Sequence, residues 1–309
     1  MRIKTIAAAL IGAAIMSLCG CSVGFVDAVS VKYDNADKYT AGDIEITDKI
    51  DTLDIVWPTG RLDVAAADSE GVSVKETTKG SLDDKERVHT WQEGSTLHVR
   101  FCRSGERYKG EEKQLKITVP KSDTLSNVKI NVSSADVSCT GLTAGAAELS
   151  ASSGDVSFEG DASSFICESS SGNISFSGVA EKISTEASSG DIFITQKGTA
   201  DIISAETSSG VITIDAEQAN KLWAESSSGD KGITLGHMPQ SVSLKSSSGD
   251  VKLTIPEGSS FDASISTSSG DVSYQLPMTK TGDKSYTCGS GGNKLDITTS
   301  SGNVQILKK

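Results

Sequence analysis

The chain has 309 residues, a formal net charge of −12, 36% hydrophobic and only 5% aromatic residues, with 30 glycines and five prolines. Many glycines and few prolines argue against a helical bundle and for a β-rich chain with sharp turns, forming one large or two ordinary domains. The acidity disfavours nucleic acid and anionic lipid headgroups as partners.

The N-terminus carries Arg2 and Lys4 and then an uncharged apolar run, Ile6 to Leu18. That run is shorter than the roughly 20 residues a membrane-spanning helix needs, so it reads as a secretory signal. It ends in Leu18-Cys19-Gly20-Cys21, which resembles the lipobox of bacterial lipoprotein signals, with Cys19 departing from the commoner Ala, Ser or Thr. The resemblance implies cleavage after residue 20 and diacylation of Cys21. The expected organisation is a signal over 1–20, a lipidated N-terminus and linker over 21–42, a β region over 43–125 and a repeat array over 126–309. Removing Arg2 and Lys4 takes the charge from −12 to −14.

Within 43–125, "LDIVWPTGRLDV" places Leu53 and Ile55 seven and five residues before Gly60, and Leu62 and Val64 two and four after it. This spacing predicts an outlying first coil. Strands are expected at Gly71 to Thr77, Leu97 to Cys102 and Leu115 to Val119, the last two forming a hairpin around the polar loop Arg103 to Lys113 and the whole segment capping the array. His98 alternates with apolar neighbours and is expected on a solvent face; His89, near Trp91, is expected in a paired surface role.

From Ala135 onward a phrase close to SSGDV returns, with its glycine at Gly154, Gly172, Gly190, Gly210, Gly229, Gly249, Gly270 and Gly302, at steps of 19, 18, 18, 20, 19, 20, 21 and 32 residues. Such a period is a structural repeat. Apolar residues stand seven and five before each glycine (Phe165 and Cys167, Ile203 and Ala205) and two and four after it (Ile174 and Phe176, Ile192 and Ile194). This alternation predicts two short strands per coil, each with one buried face. Strands of five or six residues are unstable alone, so the coils must stack as parallel ladders about 4.8 Å apart. The fold class expected is all-β: a right-handed parallel β-solenoid of coils of about 19 residues, preceded by a small β cap. The insertion Lys280 to Asn293 is expected to cap its C-terminal end.

The phrases "YTAGDIEI", "LDIVWPTGRLDV", "TLHVRF", "LKITVP" and the run of SSGDV turns resemble the adhesin family called domain of unknown function 4097, from about Tyr39 to Ile306. The resemblance implies a β-solenoid at the bacterial cell envelope and supplies no catalytic residues.

The residue after each glycine forms a column: Asp155, Asn173, Asp191, Val211, Asp230, Asp250, Asp271 and Asn303, with Asp136 at its start. Stacked carboxylates repel. One reading is calcium between the coils. The other, adopted here, is a structural turn in which glycine takes positive φ and the Asp or Asn oxygen accepts nearby N–H groups. A serine hydrolase needs a His and an acid beside one activated Ser. His89, His98 and His237 all lie outside the turns, and the lone G-x-S-x-G, Gly20 to Gly24, straddles the lipobox cut. Cys102, Cys139, Cys167 and Cys288 remain for an exported chain, either paired or free, and Cys139 and Cys167 fall at inward positions. Trp223 precedes an inward position by one and is the best single candidate for a ligand contact.

The expected function is a lipid-anchored, extracytoplasmic, non-catalytic surface for adhesion, binding or scaffolding in the envelope, without cofactor or metal, with the membrane and an envelope glycan or protein as partners. A polysaccharide-active β-helix enzyme and an envelope-stress accessory protein are the alternatives.

Overall fold

The computed structural model describes residues 29–309. The signal, the lipobox and Cys21 lie outside the described residues. The regular structure of the described residues is strand, apart from one short 3-10 turn at Ala36–Lys38.

Two strand ladders run along the array and meet at the SSGD corners. On one face, the segments that follow the turns pair in parallel and in repeat register: Val137 with Val156, Val156 with Ile174, Ile174 with Ile192, Ile192 with Ile212, Ile212 with Lys231, and Lys231 with Val251. On the other face the segments that precede the turns do the same, Val128 with Ala147 and onward to Leu222 with Val242. Long strands such as Asp136–Ala151 and Ile192–Thr207 run from one face to the other around the second corner. Between the ladders lies a thin continuous core in which Val156, Phe158, Phe165, Cys167, Ile174, Phe176, Ile192 and Ile194 are buried. Phe176 stacks nearly parallel to Phe158 at 6.0 Å and lies 4.8 Å from Phe165.

Both ends depart from chain order. The Gly60 coil does not lie outermost. Thr52–Val56 pairs in parallel with Thr96–Arg100 on one side and Leu125–Asn131 on the other. Arg61–Ala67 likewise sits between Lys113–Pro120 and Asp136–Ala151. At the far end the Gly302 coil enters between the Gly249 and Gly270 coils, Val304 pairing with Val251 and Val272, and Leu295 with Val242 and Ala263. The last strand in sequence, Val304–Lys308, is therefore next to last in space.

Antiparallel strands cover both faces of the outermost parallel coil at one end and one face at the other. His89–Glu93 pairs with Thr96–Arg100, and Val72–Thr78 pairs with Lys113–Pro120. The expected hairpin between Leu97–Cys102 and Leu115–Val119 is thus replaced: those segments belong to opposite faces of one coil. Residues 29–41, expected within a linker, dock here as well, Val29 bridging Tyr108 and Thr40–Ala41 pairing with His89 and Thr90. At the other end Ser285–Cys288 covers Phe261–Ser266 and pairs back with Met278–Lys280. Eleven parallel coils in each ladder make a rod about 48 Å long.

Candidate binding surface

The SSGD corner is a set of rungs between coils, not a self-contained turn. Each Asp or Asn accepts, through Oδ1, the backbone N–H of the same position one coil on: Asp136 from Asp155 at 3.0 Å, Asp155 from Asn173 at 2.8 Å, Asn173 from Asp191 at 2.9 Å and Asp191 from Val211 at 2.8 Å. The series resumes with Asp230 to Asp250, Asp250 to Asn303 and Asn303 to Asp271. Val211 interrupts it, since it offers no oxygen to Asp230. No group of His, Cys, Asp and Glu side chains among the described residues is arranged to hold a metal ion.

The glycines have a different role from the one expected. None of Gly154, Gly172, Gly190, Gly210, Gly229, Gly249, Gly270 and Gly302 has positive φ. What they supply is space. A Cβ at Gly210 would stand 1.9 Å from the carbonyl oxygen of Gly190, and one at Gly172 2.0 Å from that of Gly154. From Gly210 onward a Ser or Thr three residues before the glycine adds to the rung, where Ala151 and Ala187 stand before Gly154 and Gly190. Thr207 Oγ1 donates to the Gly190 carbonyl and accepts the Gly210 N–H, both at 3.1 Å. Ser246, Thr267 and Thr299 accept the corresponding glycine N–H.

With the corners committed to the fold, binding capacity lies on the outer faces. On the post-turn face a trough is lined by Ser138, Ser157 and Ser175, bordered by the column Asp136, Asp155 and Asn173, with Arg61 and Phe193 also in its wall. The strand register aligns the three serines in adjacent coils and puts Phe193 in the next coil of the same row. The ring is 41% exposed, among the most exposed large apolar side chains described. Arg61 is held by Asp63 at 2.9 Å.

Trp223 lies on the other face, half-buried and aligned with Ser204 and Ser243 in the flanking coils. Beside this row Glu168, Glu186, Glu206 and Glu225 align in successive coils, and Lys245 pairs with Glu225 at 3.7 Å. Partial burial and the charges of Glu186 and Glu225 raise the Glu206 pKa.

The cap holds two polar clusters that support its fold. Lys113, fully buried, pairs with Glu76 at 2.7 Å, donates to the carbonyls of Glu86 (2.6 Å) and Phe101, and is enclosed by the rings of Trp57, Phe101 and Tyr108. Burial lowers its pKa against the opposing pull of Glu76. Nearby, Asp54 accepts from Arg100 at 2.5 Å and from His98 at 2.8 Å. Burial works against the Asp54 charge, but Arg100 and His98 hold its pKa below the usual carboxylate range. His98 does lie on the outward side of its strand, yet Trp91 stacks on it at 4.9 Å and Tyr39 lies 6.4 Å away. His89 is buried rather than at the surface, with Nδ1 2.8 Å from the Arg87 carbonyl. Tyr33 bonds the Cys102 carbonyl, and burial, with Cys102 beside it, pushes its pKa up to about 12.

Cys102, Cys139, Cys167 and Cys288 are all buried and free. Burial pushes the Cys139 thiol up to about 12, well away from a reactive thiolate. A residue overlooked in the sequence is Lys231, which occupies an inward position filled by Ile212 and Val251 in the flanking coils. It is buried, donates to Ser226 Oγ at 2.5 Å, and burial lowers its pKa to about 8, opposed by Glu225 and Asp230. A lysine in an otherwise aliphatic column was the available signal.

The Toastrack DUF4097 family profile matches residues 50–307. Among solved structures, a candidate adhesin from Parabacteroides distasonis ATCC 8503 is 15% identical, with 91% of this chain and 100% of that chain covered and a TM-score of 0.48. A candidate lipid-binding protein from the same organism is also 15% identical over the same shares, with a TM-score of 0.46. A candidate adhesin from Bacteroides fragilis NCTC 9343 is 13% identical, with 88% and 97% covered and a TM-score of 0.37. No curated protein matches the chain. The profile takes in the parallel coils from the Gly60 coil to the Gly302 coil, and on that match the chain belongs to the Toastrack DUF4097 family.

Proposed function

We propose that this chain is a non-catalytic rod on the extracytoplasmic side of the bacterial cell membrane, anchored by lipid at Cys21, that binds a linear envelope glycan along its outer face. The observation that carries the reading is the trough: hydroxyls at Ser138, Ser157 and Ser175, one coil apart, leading to the exposed ring of Phe193. Hydroxyls about 4.8 Å apart can exchange hydrogen bonds with successive sugar hydroxyls. The negative face of an aromatic ring attracts the C–H edges of a pyranose. Trp223 offers a second ring on the opposite face.

The lipid anchor bears on orientation. Only seven residues, eight Cα-to-Cα steps, separate Cys21 from Val29, which is docked on the cap. They reach at most about 29 Å, so an anchor at Cys21 keeps the cap close to the membrane.

Two measurements test the reading. Binding of the purified Cys21→Ser chain to isolated envelope glycan should weaken at least tenfold in Phe193→Ala, with the melting temperature unchanged because the ring is exposed. Equal binding by parent and variant, or none by the parent, rules out the trough. In cells Cys21→Ser should move the protein from the membrane fraction to the soluble one; retention in the membrane removes the anchor.

A further inference from the structure

The two faces of the outermost C-terminal coil are finished differently. Phe261–Ser266 is covered by the antiparallel strand Ser285–Cys288. On the other face Val272–Tyr274 pairs with Val304–Lys308 alone, and no strand among the described residues pairs with its outer side. Val272 and Tyr274 stand at the positions two and four after the glycine, which are buried in the inner coils, as at Ile192 and Ile194. Here Val272 is half-exposed and Tyr274 is 41% exposed, its ring set edge-on to Tyr286 at 5.8 Å. The apolar core opens at this point.

The rung chemistry also stops one step short. Asn303 Oδ1 accepts the Asp271 N–H, and Thr267 Oγ1 donates to the Gly302 carbonyl. Asp271 Oδ1 and the Gly270 carbonyl, the equivalents of Asn303 Oδ1 and the Gly302 carbonyl one coil further out, receive nothing from the described residues. Val304 N–H donates to the Asp271 carbonyl and Gln275 N–H to the Ile306 carbonyl, so residues 271, 273 and 275 turn toward the inner neighbour. The backbone groups of Val272 and Tyr274 therefore turn to the open side.

We propose that this edge receives one extended strand from a partner protein, added in parallel as a further rung, with glycine at the corner and apolar side chains two and four residues after it. The glycine requirement follows from the rungs below: a Cβ at Gly270 would stand 2.0 Å from the Gly302 carbonyl oxygen, and a residue stacked on Gly270 meets the same restriction. The apolar requirement follows from the open positions at Val272 and Tyr274. This is strand addition to a sheet edge, in which backbone bonds supply affinity and alternate side chains supply selectivity. It is independent of the glycan reading, since the trough lies several coils away.

The test uses the full Cys21→Ser chain and a labelled synthetic peptide spanning Leu244–Ile255, which carries the SSSGDVKL phrase. Saturable binding is expected, weakened at least tenfold by Gly→Val at the position of Gly249 in the peptide and at least tenfold by Tyr274→Pro in the protein. Tyr274→Pro removes an outward N–H and leaves the bonds to Val304–Lys308 in place, so its melting temperature should match the parent's. Tyr274→Lys, which keeps the N–H, should retain backbone binding and lose part of the affinity. Absence of binding, or binding indifferent to both the glycine and Tyr274→Pro, overturns the proposal. So does concentration-dependent dimerisation abolished by Tyr274→Pro, which would assign the edge to a second copy of this chain.

Discussion

The middle of the rod and its two ends are built from the same strands by different rules. From the Ala135 coil to the Gly249 coil neighbours in space are neighbours in sequence, and a corner glycine stacks on the coil before it at every step, with the Asp or Asn contact broken only at Val211. At the ends the order is interleaved, the covering strands are antiparallel and charge enters the core at Lys113 and Glu76. Repetition specifies what lies between two coils and leaves open which coil comes next. An end needs chemistry that does not repeat, because an unfinished coil is an open sheet edge.

The largest effect should come from the end chemistry. Glu76→Gln leaves the buried Lys113 ammonium without its carboxylate and should cost about 3–5 kcal/mol in chemical denaturation. A loss of under about 1 kcal/mol would show that the carbonyls of Glu86 and Phe101 and the surrounding rings suffice for that charge.

Within the repeats the contrast is between two glycines. Gly210→Ala drives a Cβ into the Gly190 carbonyl and should destabilise by about 2–3 kcal/mol. Gly232→Ala, where a Cβ meets nothing within 4 Å and φ is not positive, should be neutral or gain up to about 1 kcal/mol. Equal melting temperatures for the two variants would contradict the spatial role assigned to the turn glycines.

Lys231 is the place where the middle carries an end-like feature. Its pKa falls from 10.5 unfolded to about 8 folded. Between these values the unfolded chain holds a proton that the folded chain has released, so stability should rise with pH from about 8 to about 10.5. Lys231→Met should stabilise by about 2 kcal/mol below pH 8 and flatten that rise. A parent and variant with parallel pH profiles would refute the burial cost.

The smallest expected effect is a repair. Val211→Asn gives the Asp230 N–H the missing side-chain acceptor without adding a carboxylate to the column, and should gain about 1 kcal/mol. An unchanged or lowered melting temperature would mean that the Val211 gap is already compensated.

Much of the fold was legible in the sequence because burial alternates with period two and the corner phrase marks every coil. Ile192, Ile194, Ile203 and Ala205 all point inward as their spacing predicts. Coil order at the ends was not legible, because every coil presents the same edge to any other, and Val304 fits Val251 and Val272 equally. The glycine role was misread because a tight corner suggests a backbone angle, whereas close stacking of backbones shows only in three dimensions. The trough was not legible because its lining residues come from successive coils and only the strand register brings them side by side. Phe193, an aromatic in a row otherwise held here by Ser138, Ser157 and Ser175, was the available signal.

The departure from chain order can be tested most directly by oxidative cross-linking of paired cysteines on the outer surface. Lys245 and Thr298 are register partners, as are Ser266 and Thr298, at the spacing of adjacent strands that a disulfide can bridge. Lys245→Cys with Thr298→Cys, and Ser266→Cys with Thr298→Cys, should each cross-link within the monomer, while Lys245→Cys with Ser266→Cys, separated by a whole coil, should not. Efficient closure of Lys245→Cys with Ser266→Cys, and failure of Lys245→Cys with Thr298→Cys, would place the coils in simple sequence order and contradict the interleaved end.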